Sequence, residues 1–104
     1  MNCDEVIKQI KNAVSEIEPK AEIILYGSRS RGENVVQSDW DLLILVEGPV
    51  DDERTDRIRH RLYEVEWEAG EVISSIVRNR DEWNSRLYRS MPLYKRILEE
   101  GIRL

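Results

Sequence analysis

A chain of 104 residues has room for one small domain built on a single core. It contains no apolar stretch near the ~20 residues of a membrane span. Its net charge of −5 argues against a nucleic-acid substrate, whose phosphates are gripped by Lys and Arg.

Cys3, Val6, Ile7, Ile10, Ala13, Val14 and Ile17 recur at helical spacing and predict an amphipathic helix that Pro19 ends. That mixture of charged and apolar residues from Met1 to Lys20 is not a signal peptide. Cys3 is the one cysteine, so an internal disulfide is excluded and a reducing cytosol is expected. Residues 22–26 (EIILY) form a short β-prone run stopped by Gly27. Residues 28–37 suit a short helical turn and a loop pivoting at Gly32. Trp40–Val46 is a near-continuous apolar strand, which implies a sheet covered on both faces there or a helix over one of them.

After the break at Glu47-Gly48-Pro49, Asp51 or Asp52 caps a helix whose seam is Ile58, Leu62, Val65 and Ala69. Its charged run, residues 52–61, reads as a solvated face, with His60 among solvent and no second ligand beside it. Tyr63 and Trp67, i and i+4 on that helix, either widen the core or form an exposed aromatic patch. Gly70 ends the helix, Val72–Val77 reads as a third strand, and Asp81-Glu82-Trp83 starts another helix. Met91–Glu100 is a last helix stopped by Gly101 in the manner of a C-terminal glycine cap. The order predicts an α/β (α+β) domain over residues 1–104, with a small three- to four-stranded sheet and helices packed on it.

The chemistry concentrates at Asp39 and Asp41, at the mouth of the apolar strand. Residues i and i+2 of a strand point the same way, so these carboxylates converge. Like charges held together repel unless a cation lies between them. Hard oxygen donors suit Mg²⁺, which keeps waters and a substrate phosphate in its other positions. Gly27 permits a tight turn and close approach of backbone N–H groups to a phosphate, and Ser28 adds a hydroxyl donor. Ten residues, Arg29 to Ser38, separate that bend from Asp39.

Tyr26-Gly27-Ser28-Arg29-Ser30-Arg31-Gly32 followed by Ser38-Asp39-Trp40-Asp41-Leu42 resembles the signature of the nucleotidyltransferase superfamily that includes DNA polymerase beta. Within it the chain is most similar to the minimal nucleotidyltransferases, often the antitoxin partners of HEPN-domain toxins. The resemblance implies a catalytic pair, Asp39 and Asp41, binding Mg²⁺. It implies that Gly27 and Ser28 hold the β- and γ-phosphates of ATP, with Arg31 and Ser38 in the nucleotide site. A surface arginine on a turn is the competing reading of Arg31.

The family's third carboxylate, on a later strand, has no clear counterpart, because Ser74 or Ser75 aligns there. Glu71 is the candidate third metal ligand, although it could lie ~13 Å from Ser75 along the strand. Glu66 and Glu68 are weaker candidates. Three functions follow. The first is AMP transfer from ATP to a hydroxyl of a partner, with a HEPN toxin tyrosine implied. The second is an inactive antitoxin or interaction module. The third is a subunit of an aminoglycoside-type nucleotidyltransferase. So short a chain needs an acceptor site from a partner or a second copy, and a homo-oligomer is compatible with that.

Overall fold

Strand β2, Trp40–Val46, is buried at every position except Asp41. A strand hidden on both faces must be covered twice, and the computed structural model, which describes residues 2–30 and 39–104, shows both covers. Helix α1 (Cys3–Ile17), strand β1 (Glu22–Tyr26), β2, helix α2 (Asp52–Ala69) and strand β3 (Ile73–Asn79) follow in chain order. Short helices α3 (Arg80–Trp83) and α4 (Arg86–Arg89), helix α5 (Pro92–Glu100) and strand β4 (Ile102–Arg103) complete them. The sheet order is β3-β2-β1-β4. β2 runs antiparallel to β1 and parallel to β3, and β4 pairs antiparallel with β1. A parallel pair needs a long crossover, and α2 supplies it.

Alternation along β2 sorts the core into two layers. Trp40, Leu42, Ile44 and Val46 pack with Val6, Ile10, Ala13 and Val14 of α1 and with Ile58, Leu62 and Val65 of α2. Leu43 and Leu45 face the other way, against Trp83 and Ile97, with Tyr88, Leu93 and Tyr94 at the margin. Asn2 caps α1 by accepting the Glu5 N–H at 2.9 Å. Asp51, rather than Asp52, caps α2 by accepting the Arg54 N–H at 2.8 Å. Arg54 also reaches back to Glu18 with two hydrogen bonds, at 2.8 and 2.7 Å, clamping the start of α2 to the end of α1.

Three local expectations change. β3 begins one residue later than the apolar run and ends two residues beyond it. Arg78 and Asn79 lie opposite Leu45 and Val46 and continue the pairing despite their polarity. β4 is too short to leave a sequence pattern. Gly101 ends α5 with φ −67°, not in the left-handed region. A side chain there would collide with the Ile97 carbonyl and sit 2.7 Å from Ile24 Cγ2. Glycine is required at that point for closeness, not for handedness.

The outer edge of β3 is occupied by side chains. Its Ile73 N–H donates to Glu66 Oε1 at 2.6 Å, and Arg59 donates to the Ser75 carbonyl at 3.2 Å. Those bonds blunt an edge that would otherwise template another strand. Tyr63 and Trp67 resolve as exposed, at 59% and 79%, so they do not widen the core. No helix among the described residues is long and apolar enough to cross a membrane.

Candidate active site

Tyr26, the last residue of β1, pairs with Asp41 near the start of β2. The bend that leaves β1 is therefore pressed against the carboxylate that opens β2. Gly27 has φ +79°, and a Cβ on it would overlap the Asp41 carboxylate oxygen and lie 3.2 Å from its Cγ. The backbone conformation and the space each demand glycine. Ser28 and Arg29 follow in the turn, which closes when Ser30 Oγ donates to the Gly27 carbonyl at 2.7 Å. The phosphate-cradle candidate and the acidic pair thus meet at one end of the sheet.

Asp39 immediately precedes β2 and Asp41 is its second residue. Burial, followed by the nearby charge of Asp39, pushes the Asp41 carboxyl above the usual carboxylate range. Arg96 counteracts this in part, and Glu100 adds to it. Burial, then the Asp41 charge, also raises the Tyr26 phenol. Two carboxylates in mutual repulsion, Asp41 half-buried and Asp39 exposed, are a donor set that a hard divalent cation would neutralise, and Mg²⁺ fits it. Among the described residues no group of three His, Cys, Asp or Glu side chains converges to hold a metal.

Ser74 lies opposite Asp41 in the β2–β3 register. Its hydroxyl donates to Asp39 Oδ2 at 3.4 Å, a long bond. The position next to the acidic pair on β3 therefore carries a hydroxyl. Glu71 is engaged elsewhere: Arg29 Nη2 donates to its Oε2 at 3.1 Å. The Arg29 guanidinium also lies 4.7 Å from the centre of the Trp40 ring, a cation–π contact. Arg29 so joins the turn after Gly27 to β2 and to the segment before β3. Arg31 and Ser38, the other expected nucleotide contacts, and Gly32 lie outside the described residues.

Two participants were not legible in sequence. Gly27 N–H donates to Glu100 Oε1 at 3.2 Å, and Arg96 Nε donates to the same oxygen at 2.9 Å. The i,i+4 spacing of Arg96 and Glu100 at the C-terminal end of α5 marks them as a pair, but only folding brings that end to the bend.

Comparisons with known proteins bear on the family and the fold. The family model of the nucleotidyltransferase domain matches residues 7–104. The "Putative protein adenylyltransferase MJ0604" of Methanocaldococcus jannaschii is 33% identical over 103 residues, covering 97% of this chain and 96% of that one. A crystal structure of a toxin-antitoxin with AMP-PNP superposes with a TM-score of 0.63 at 20% identity, covering 99% of this chain and 72% of that one. A mutant of the toxin-antitoxin MntA-HpeT superposes with a TM-score of 0.61 at 20% identity, covering 100% and 72%. At that identity the structures speak for the fold, while the family match and the signature residues speak for the chemistry. The chain belongs to the nucleotidyltransferase domain family, and it is a nucleotidyltransferase.

Proposed function

We propose that this protein is an adenylyltransferase that moves AMP from ATP to a hydroxyl on a partner protein in the cytoplasm. The observation that carries this reading is the contact between the Gly27 bend and Asp41, with Asp39 beside it. Asp39 and Asp41 would hold Mg²⁺, which when bound neutralises charge developing on the triphosphate and the attacking oxygen. The Gly27 and Ser28 bend presents backbone and hydroxyl donors to the terminal phosphates. The acceptor oxygen bonds to the α-phosphorus, the α–β bridging bond breaks, and pyrophosphate leaves with the electron pair. The acceptor proton is given up to water. Positioning supplies most of the catalysis in such a transfer.

The partner we favour is a HEPN-domain toxin whose tyrosine receives the AMP, which makes this chain the antitoxin. Support comes from the signature, from the name of the M. jannaschii relative, and from toxin-antitoxin complexes among the structural neighbours. The test is incubation of the cognate pair with α-labelled ATP and Mg²⁺. Label and an added adenylate mass should appear on the partner, and Asp39→Asn should remove both. A partner left unlabelled by the wild-type protein overturns the reading.

One observation favours a second reading, neutralisation by binding alone. Ser74 stands beside the acidic pair, and Glu71 is paired with Arg29. On that reading Asp41→Asn still protects cells from the partner. Loss of protection with normal complex formation excludes it.

A further inference from the structure

The last turn of α5 places a carboxylate on the backbone donor assigned above to a nucleotide phosphate. Glu100 Oε1 accepts from Gly27 N–H at 3.2 Å and from Arg96 Nε at 2.9 Å, and the Glu100 side chain is only 15% exposed. Other negative charge lies around it. A helix C-terminus already carries partial negative charge, and the Asp39–Asp41 pair lies close by. Helix attachment does not require the contact either. Gly101 N–H closes the helix on the Ile97 carbonyl at 2.7 Å, and Gly101 packs directly on Ile24. A carboxylate accepting a backbone N–H at a glycine bend is the nearest side-chain equivalent of a phosphate oxygen.

We propose that Glu100 is an internal phosphate mimic, occupying the Gly27 amide until the nucleotide triphosphate displaces it, and that Arg96 then exchanges its bond to Glu100 for one to phosphate. The inference rests on the reading that the Gly27 bend is the phosphate subsite. Two anions cannot share one donor without strong repulsion, so nucleotide binding requires Glu100 to leave. Arg96 is 55% exposed, so its guanidinium has room to turn. Glu100 thereby sets nucleotide affinity, and it keeps the bend satisfied when no nucleotide is present.

The experiment is calorimetric titration of the full chain with MgATP and, separately, with magnesium-free tripolyphosphate, alongside amide NMR of Gly27. Glu100→Gln should bind both ligands about fivefold tighter, and Arg96→Ala should bind both more weakly. In the wild type the Gly27 amide resonance should shift on titration, and Glu100→Gln should move it before ligand is added. Glu100→Asp, too short to reach, is the second variant and should also bind tighter. Unchanged affinity in both Glu100 variants overturns the proposal. So does weaker MgATP binding with unchanged tripolyphosphate binding, which would make Glu100 a metal ligand. If Asp39→Asn weakens MgATP binding while the Glu100 variants match wild type, the mimic fails and the transferase reading stands. If no protein binds ATP, Glu100→Gln included, both fail.

Discussion

The two faces of β2 differ in what they are built to do. Toward α1 and α2, Trp40, Leu42, Ile44 and Val46 meet two long helices in an all-apolar layer. Toward α5, the same strand offers Asp41, Leu43 and Leu45, and the cover is a smaller cluster held by short helices and the rings of Trp83, Tyr88 and Tyr94. One face secures the strand so that the other can present charge at its end. A two-residue period separates stability from chemistry along a single run of seven residues.

Substitutions on either side should split these roles. Asp41→Asn should reduce adenylate transfer about a thousandfold. The same change should raise Tm in metal-free buffer at neutral pH, because a carboxyl raised in the native state disfavours the fold once ionised. The gain should vanish below 3.8, where the group is protonated folded or unfolded. Thermal melts at both pH values and a transfer assay check the two halves.

On the opposite face, Ile44→Ala should cost about 2–5 kcal/mol in denaturant unfolding, since Ile44 is fully buried among the helices. ATP affinity of the folded fraction should stay within about twofold of wild type. Gly27→Ala sits between the regimes. Left-handed backbone and overlap with Asp41 should cost roughly 1–3 kcal/mol, and ATP binding should fall as well.

The smallest effect is expected at Glu18→Gln, about 1 kcal/mol, because the Arg54–Glu18 pair is partly exposed. Bonding to Arg54 holds the Glu18 carboxyl below its ordinary 4.5. Its contribution is therefore present at neutral pH and lost as pH falls through the lowered native value. Wild type and variant should converge in Tm in strong acid.

Much of this was readable before folding. The helical spacing in α1 and α2 and the apolar run of β2 report burial directly, because each helix or strand repeats on its own period. The acidic pair and the glycine bend were readable because strand alternation and turn geometry are local rules. β4 escaped because two residues carry no period. Gly101 looked like a left-handed cap because the sequence could not show Ile24 beside it.

What the sequence determined by itself was local: the periods of α1, α2 and β2, which face of β2 bears acid, and which bend can turn tightly. Tertiary structure alone decided the long-range meetings. Arg29 engages Glu71, Ser74 stands beside Asp39, and Glu100 lies on Gly27, 73 residues away in the chain. Such contacts depend on sheet order and helix placement, which are set by burial summed over the whole core and not by any neighbouring stretch of sequence.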